Sequence, residues 1–229
     1  MRKFILMHLQ ATRMSFGGVA IDGYRPTEEF PSKSMIVGMI ANALGLRAGE
    51  HDDQHIMLQD TLSLATAAVR RPRIETEFQV SELDPIRTKY WSTSGVPIEK
   101  TSTFNTELSQ KQYLVDGYYV CALGIKERMR EFPITRIAQA LAYPKRTIFI
   151  GRKNCHPTRP LVDSDPYVFA NTCHHALSKH LGRGFSAEWD FGEGPEDGPN
   201  VHLSKSTRGF KEWRTGRHHG HTQITVGET

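Results

Sequence analysis

The stretch RPTEEFPSKSMIVGMIANALGL, residues 25–46, contains the first strongly helical pattern of the chain. Ser32 belongs to the residue types that cap helix N-termini, and Gly45 to those that end helices. Between them, apolar side chains recur at spacings of three and four, as in a helix that buries one face. These apolar residues are Met35, Ile36, Met39, Ile40, Ala43 and Leu44. The sequence therefore predicts a helix over residues 32–46.

The start of this helix combines hydroxyl groups with positive charge. A helix N-terminus exposes unpaired N–H groups and the positive end of the helix dipole, which suit a phosphate group. Ser32, Lys33 and Ser34 add two hydroxyls and one cation at that point, and Arg25 precedes them. We predict phosphate contacts here. The alternative is that Ser32 only caps the helix and Lys33 is solvated.

Outward from this helix, the hydrophobic pattern predicts alternating strands and helices. We expect strands over 3–9, 61–70, 113–125 and 147–150, and further helices over 53–60 and 134–142. The resulting order, with a polar insertion before the third strand, is β-α-β-β-α-β. This order predicts an α+β fold with the ferredoxin-like wiring that the RNA recognition motif also uses.

The insertion covers residues 71–112 and is polar throughout, without a clear period. A structureless loop of that length is uncommon in a compact domain, so we predict a protruding β-hairpin arm. Tyr90, Trp91 and Phe104 are candidates for stacking on bases, with the cations Arg87, Lys89 and Lys100 beside them. The alternative is that these aromatic side chains pin the hairpin to its own domain.

Charge is segregated along the 229 residues, which carry a formal net charge of +4. Residues 143–160 hold five lysines and arginines and no acid, whereas residues 184–200 hold five acids and no base. Such segregation favours a polyanionic partner, although a solvated surface is the alternative. No apolar run is long enough to span a bilayer, and three cysteines without a CxxC motif fit a reducing compartment. We expect a cytoplasmic protein.

The sequence GRKNC, residues 151–155, follows the predicted strand at 147–150 directly. Gly151 allows a close backbone approach, and Arg152 and Lys153 are suited to phosphate groups. A basic turn at a strand end is the alternative. Cys155-His156 and Cys173-His174-His175 lack the regular paired spacing of zinc sites, so we expect no metal and no cofactor.

Four segments in one order resemble the Cas-five (CasD) family, which are subunits of type I-E CRISPR Cascade complexes. GYRPTEEFPSKSMIVGMIANALGL (23–46) is similar to the family pattern GxRPTxxFPTxSGxxGLLxxxLG. LQATRMSFG (9–17), QKQYLVDGYYVCAL (110–123) and FIGRKNCHPTRPL (149–161) match three further family segments. The resemblance covers nearly the whole chain, and several collinear motifs are more specific than any single one.

The resemblance implies a non-catalytic subunit of the Cascade surveillance complex that caps the 5′ repeat-derived handle of the CRISPR RNA. It implies a fold like the RNA recognition motif with a β-hairpin thumb, and as neighbours a backbone subunit of the Cas-seven type and a large subunit of the Cas-eight type. Target DNA would be engaged indirectly. We expect an RNA-binding domain over 1–151, with the thumb at about 71–112, and a small β-rich, basic C-terminal extension over 152–229 that packs on it. The predicted RNA-binding residues are Tyr24, Arg25, Ser32, Lys33, Ser34, Arg87, Lys89, Trp91, Lys100, Phe104, Arg152 and Lys153.

Two other functions fit parts of the sequence. Another branch of the same family cleaves CRISPR precursor RNA without metal, and Tyr24, Lys33 and His156 are residue types suited to such general acid–base chemistry. This alternative is a metal-independent endoribonuclease. The second alternative is a stand-alone single-stranded RNA-binding module that works without partner subunits.

Overall fold

The structure is a computed structural model of the chain. It describes residues 1–83, 90–91, 97–98, 105–126, 131–199, 201–208, 211–213, 217–218 and 221–229. The helices in these ranges are α1 Lys33–Leu44, α2 Asp52–Thr61, α3 Ile134–Ala142 and α4 Cys173–Leu181. The strands are β1 Arg2–Gln10, β2 Arg13–Met14, β3 Tyr24–Arg25, β4 Leu62–Arg70, β5 Arg73–Leu83, β6 Tyr90–Trp91, β7 Pro97–Ile98, β8 Asn105–Val115, β9 Tyr118–Ile125, β10 Tyr167–Ala170, β11 Ser186–Asp190, β12 Val201–Arg208, β13 Lys211–Glu212, β14 Arg217–His218 and β15 His221–Glu228.

A seven-stranded sheet in the order β10-β1-β9-β4-β11-β15-β12 organises the chain. All neighbouring strands in it are antiparallel. Four of these strands come in the chain order β1, β4, β9 and β10. In the sheet they lie side by side as β10, β1, β9 and β4, which is the order 4-1-3-2. The predicted α+β class is confirmed by this mixture of helices and antiparallel sheet.

Side chains of β1 alternate between two cores on opposite faces of this sheet. Ile5, Met7 and Leu9 pack in the larger core with α1 and α3. Phe4 and Leu6 pack in the smaller core with α4. The sheet is therefore covered by helices on both faces, because successive side chains of a strand point to opposite sides.

Helix α1 forms as the sequence predicts, with both ends set by local chemistry. The Ser32 hydroxyl accepts a hydrogen bond from the Met35 N–H at 3.3 Å, which caps the N-terminus. Gly45 takes the left-handed conformation, with φ at 84°, and ends the helix. The apolar residues of the pattern, apart from the partly buried Met35, are buried against the larger core.

The predicted strand over 147–150 is wrong. This segment is irregular, and Ile150 donates its N–H to the Cys155 carbonyl at 2.7 Å, which folds the backbone into a turn. Ile148 and Ile150 are apolar because they pack in the larger core, not because they pair in a sheet. The strand beside β1 at the sheet edge is β10, some twenty residues later.

The single strand predicted over 113–125 is also wrong, because the chain turns in its middle. Asp116 has a φ of 61° and precedes Gly117, and this turn separates β8 from β9. Asp-Gly is a turn signal that interrupts a pattern of β-forming residues. As a result, β9 lies in the seven-stranded sheet while β8 belongs to another sheet.

Strands β5 and β8 form a long antiparallel ribbon that overlaps the predicted arm, residues 71–112, and extends past it to Val115. Their pairing runs from Arg73 opposite Val115 to Leu83 opposite Asn105. Along its other edge, β8 pairs with β2 at its base and with β3 further out. We call β5 and β8 together the ribbon.

Two ion pairs, one buried and one partly buried, join the C-terminal strands to the N-terminal part of the chain. Lys33 Nζ lies 2.8 Å from Asp190 Oδ2, and both side chains are only 10% exposed. Arg2 Nη1 lies 2.8 Å from Glu193 Oε1, and Glu193 also accepts hydrogen bonds from the Ser63 hydroxyl and the Cys173 N–H. These contacts fix the end of β11 against α1, β1 and β4.

Among the helices in the described ranges, none has the length and apolar character of a membrane span.

Candidate nucleic-acid interface

One face of the ribbon is charged, as the strand register shows. Side chains in directly paired positions share a face, and alternate positions share it along each strand. Glu77, Lys111 and Arg25 occupy one row across β5, β8 and β3. Arg73 and Arg13 occupy another row of the same face, through their common partner Val115. We call this side of the ribbon the charged face.

Arg13 is held over the charged face by several contacts. Its guanidinium lies 3.2 Å from Glu77 and 3.7 Å from Glu75. The same guanidinium lies 5.4 Å from the centre of the Tyr113 ring. Sequence reasoning missed Arg13 as a site residue, although it stands within the motif LQATRMSFG, and it gave no role in the site to Lys111.

Arg152 ties the loop after α3 to the ribbon. Its guanidinium donates to the Gln112 carbonyl at 2.7 Å and to the Arg25 carbonyl at 2.9 Å. It also lies 4.6 Å from the centre of the Tyr113 ring. Lys153, the next residue, is exposed. Arg152 therefore has a positioning role that the sequence did not predict, and Lys153 has the more accessible charge.

The loop that carries these two cations is fixed by a tight backbone contact. Gly151 has a φ of 91°, and a Cβ at this position would lie 1.6 Å from the Ser15 carbonyl oxygen. Ser15 donates its N–H to the Ile150 carbonyl at 3.2 Å, and Cys155 donates its own to the Arg152 carbonyl at 2.9 Å. The close approach predicted at Gly151 is thus made to the backbone of the first loop of the chain.

The polar side chains at the start of α1 mainly contact other groups of the same chain. Lys33 forms the buried ion pair with Asp190, whose carboxylate also accepts the Leu64 N–H at 3.0 Å. The Ser32 hydroxyl caps the helix and lies 3.1 Å from the Ser34 hydroxyl. Lys33 is therefore an anchor between α1 and β11 in this structure. Phosphate binding by Lys33 stays an untested prediction, and a phosphate would compete with the Asp190 carboxylate for the Lys33 ammonium group.

Tyr24 and Arg25 project to opposite sides of the ribbon. Arg25 is paired with Lys111 on the charged face, whereas Tyr24 is paired with Gln110, which belongs to the other face. Both side chains are exposed. The Arg25 guanidinium also donates to the Asp22 carbonyl in the preceding turn.

The predicted stacking segment lies mostly beyond the described ranges. Trp91 is in the two-residue strand β6, which pairs with β7. The other predicted contacts of this segment, Arg87, Lys89, Lys100 and Phe104, lie outside the described residues. Their proposed roles stay predictions from the sequence.

The residues considered for acid–base and metal chemistry have other surroundings. His156 is exposed, and within the described ranges no three His, Cys, Asp or Glu side chains are grouped to hold a metal ion. Cys121, Cys155 and Cys173 are buried free thiols, and burial raises the pKa of each. The pKa of Cys121 rises to about 12, so this thiol is a core residue and not a nucleophile at neutral pH.

His8 is the least exposed histidine among those whose side chains the structure describes, and its ring nitrogens have polar partners. Its ring nitrogens lie 2.8 Å from the Tyr118 hydroxyl and 3.1 Å from Asp163 Oδ2. Burial and the nearby Arg159 guanidinium lower the pKa of His8, and Asp163 only partly opposes this. His8 is 2% exposed, so the network supports the fold and offers no open position for a substrate.

Comparison with known proteins relates the whole chain to one family. The family model for CRISPR-associated protein (Cas_Cas5) matches residues 4–224. The CRISPR system Cascade subunit CasD of Escherichia coli (strain K12) is 25% identical over 175 residues, which are 76% of this chain and 72% of that protein.

Two solved structures share the fold. A chain of a CRISPR RNA-guided surveillance complex superposes with a TM-score of 0.66 at 20% identity, covering 99% of this chain and 90% of that one. A structure described as a crystal structure of a Cas protein superposes with a TM-score of 0.62 at 19% identity, covering 99% of this chain and 93% of that one.

Proposed function

The chain belongs to the Cas5 family of CRISPR-associated proteins, and from that premise we propose that it is a non-catalytic subunit of a type I-E Cascade surveillance complex. In this complex it binds and caps the 5′ repeat-derived handle of the CRISPR RNA. It links the backbone subunit of the Cas-seven type to the large subunit of the Cas-eight type during RNA-guided DNA targeting. The match to the E. coli Cascade subunit over three quarters of the chain supports this role.

We further propose that β1, β4, β9 and β10 form a ferredoxin-like unit, and that the ribbon is the base of a thumb hairpin. The order β10-β1-β9-β4, with α1 and α3 as crossovers on one face, supports the first point. Since β10 ends at residue 170, we place the end of this RNA-binding unit there and not at 151. Of the remaining strands of the predicted extension, β11, β12 and β15 then pack on the unit by continuing its sheet, and β13 and β14 pair with each other.

The observation that carries the RNA-binding proposal is the gathering of cations on one side of the ribbon, from its base to the row of Lys111. Arg13, Arg25 and Lys111 share the charged face, and Arg152 lies against the same face at Tyr113. Basic side chains on one side of a rigid element fit a phosphate backbone, which attracts positive charge regardless of sequence. The acids Glu75 and Glu77 neutralise part of this charge and hold Arg13 in place.

Substitution of Lys153 gives the clearest test, because its side chain is exposed and its truncation leaves the Arg152 contacts intact. We expect Lys153→Ala to weaken retention of the RNA handle in the assembled complex. The dependence of log affinity on log salt should become shallower by about 0.7 for one lost phosphate contact. Arg152→Ala is less informative, because it also removes the hydrogen bonds to the Gln112 and Arg25 carbonyls.

The matched control is Arg47→Ala, which removes an exposed cation of α1's C-terminal loop that pairs with Glu50. Handle retention would be measured over a salt series for complexes carrying each variant and the parent chain. The proposal requires a changed salt slope for Lys153→Ala and an unchanged one for Arg47→Ala. Identical slopes for all three proteins would place the RNA elsewhere.

A further inference from the structure

Tyr113 lies on the charged face of the ribbon and yet is buried. The register pairs it with Glu75 and places it two residues from Lys111, so the three side chains share that face. Glu75 is about half exposed, whereas Tyr113 is only 2% exposed. The loop after α3 encloses the tyrosine, because Cys155 belongs to the same small apolar cluster and the Asn154 amide donates to the Tyr113 hydroxyl at 3.2 Å. The ring is therefore a fixed point between the ribbon and this loop.

Two guanidinium groups meet at the Tyr113 ring. Arg13 comes from β2 and lies 5.4 Å from the ring centre, and Arg152 comes from the loop after α3 and lies 4.6 Å from it. Because both distances start from the same point, the two guanidinium carbons are at most about 10 Å apart. A guanidinium is attracted to the electron-rich face of an aromatic ring. One tyrosine thus gathers two positive charges that are distant in the chain.

Further contacts fix the direction of each arginine. The Glu75 and Glu77 carboxylates hold Arg13 from the side of β5. Arg152 donates to two backbone carbonyls, one on β8 and one on β3. These two hydrogen bonds use two of the five N–H donors of its guanidinium, and the others suit an anion. Both cations are therefore oriented before any ligand arrives.

The pair of arginines is suited to phosphate groups. Two like charges held close together repel each other, and an anion that contacts both lowers this electrostatic energy. The planar fork of a guanidinium matches the oxygens of a phosphate group, which it binds through two hydrogen bonds. A single RNA strand carries a phosphate at every nucleotide, so one strand can meet both arginines.

We propose that Arg13 and Arg152 act together as a clamp on the phosphate backbone of single-stranded RNA, and that Tyr113 is the residue that positions them. We call the two arginines the arginine clamp. This inference rests on the proposed function and deepens it. Tyr113 is too enclosed for a base to stack on its ring, so it acts through the arginines and contacts no RNA itself.

The test compares two substitutions of Tyr113 in the assembled complex, where retention of the RNA handle is measured over a salt series. We expect Tyr113→Leu to lower handle affinity about tenfold and to make the dependence of log affinity on log salt shallower by about 0.7 for each lost phosphate contact. Tyr113→Phe keeps the ring and loses only the hydrogen bond from Asn154, so it should retain the salt slope of the parent chain.

Tyr119→Leu is the matched control for loss of stability. Tyr119 is also buried, its ring packs edge-on against Phe16 and Phe30, and its hydroxyl donates to the Glu29 carbonyl at 2.8 Å. The substitution removes a buried tyrosine ring from the larger core and leaves the arginine clamp in place. It should lower the midpoint of thermal unfolding and leave the salt slope of handle retention unchanged.

A double substitution tests whether Tyr113 acts through Arg13. The Arg13 side chain is 43% exposed, so Arg13→Gln should fold, and it should make the salt slope shallower by about 0.7. Tyr113→Leu should then cost less affinity in the Arg13→Gln chain than in the parent chain, because coupled residues are not additive. Arg47→Gln, which removes another exposed arginine paired with a glutamate, should leave the slope unchanged.

Binding of poly(U) by the isolated chain separates this inference from the proposed function. Poly(U) is a single-stranded polyanion without the handle sequence, and phosphate contacts carry no sequence information. Tyr113→Leu should therefore weaken poly(U) binding and make its salt slope shallower as well. If it does so while none of the cation substitutions alters handle retention, the arginine clamp stands and the role in handle binding fails.

Three results would overturn the proposal. Equal salt slopes for Tyr113→Leu, Tyr119→Leu and the parent chain would show that Tyr113 only stabilises the fold. An unchanged slope for Arg13→Gln would remove Arg13 from the phosphate contacts, and this variant gives an answer even where Tyr113→Leu fails to fold. Fully additive losses in the double variant would show that Tyr113 does not act through Arg13.

Discussion

Replacement of Gly151 by alanine tests whether the basic loop is held by its contact with the first loop of the chain. The new Cβ would lie 1.6 Å from the Ser15 carbonyl oxygen, and both atoms belong to the backbone or are fixed to it, so no rotamer change relieves the overlap. The φ of 91° adds a cost of about 1–2 kcal/mol for a residue with a Cβ. Separating the two segments also breaks the hydrogen bond from the buried Ser15 N–H to Ile150, which adds about 1–3 kcal/mol. We expect Gly151→Ala to lower the free energy of unfolding by at least about 3 kcal/mol.

Gly184 offers a matched control. It has the same φ of 91°, but a Cβ there would have no atom within 4 Å. Gly184→Ala therefore carries only the backbone cost, and the difference between the two variants isolates the clash. The two variants should differ by about 2 kcal/mol, and because each kcal/mol shifts the midpoint of thermal unfolding by about 2–4 °C for a chain of this size, we expect the midpoint of Gly151→Ala to be about 4–8 °C lower than that of Gly184→Ala.

The same pair of variants links stability to RNA binding. Movement of residue 151 displaces Arg152 from the Gln112 and Arg25 carbonyls, so handle affinity should fall for Gly151→Ala and stay unchanged for Gly184→Ala. Both would be compared by thermal unfolding and by retention of the RNA handle. Equal midpoints for the two alanine variants would refute the reasoning, because the clash would then have no cost.

Two further changes probe the buried polar groups. Lys33→Ala should lower the free energy of unfolding by about 3 kcal/mol, because the Asp190 carboxylate would stay buried without its cation. Urea unfolding measures this change. A loss below about 1 kcal/mol would mean that the ion pair contributes little to stability. Burial and Arg159 lower the pKa of His8 below its ordinary value of 6.5, so the unfolded chain binds a proton that the folded chain does not, and stability should fall as pH drops below 6.5. The midpoint of thermal unfolding, followed from pH 8 to 5, measures this fall in stability. His8→Gln should make the fall smaller, because glutamine takes up no proton and Asp163 only partly offsets the cost of protonating the buried His8 ring. An equal pH dependence in both proteins would exclude His8 as its source.

Features set by neighbouring residues in the sequence were predictable. Helix α1 is such a case, because its N-cap at Ser32, its apolar spacing and its end at Gly45 are local. Helix α3 begins and ends where the pattern predicts, at Ile134 and Ala142. The family pattern also drew attention to residues 151–153, whose loop the structure places against the charged face.

Features that depend on distant partners were not predictable from one sequence. The partner of Lys33 is 157 residues away, so nothing near residue 33 distinguishes an anchoring lysine from a solvated one. The segment 147–150 is as apolar as a strand because it fills the core beside α1. The opposite orientation of Tyr24 and Arg25 follows from pairing with β8, and no local pattern reveals that register.

The ion pair between Arg2 and Glu193 has a consequence for biosynthesis. Its two residues are 191 positions apart, and β1 lies between β9 and β10, which are also distant in the chain. At about 5–20 residues per second, a ribosome exposes β1 for on the order of ten seconds or more before its partners emerge. During that time β1 has neither of its two neighbouring strands, and of the helices that cover Ile5, Met7 and Leu9 only α1 emerges early. Strand β1 is thus paired only after the later strands β9 and β10 emerge, and expression at lower temperature or with chaperones should raise the yield of folded chain.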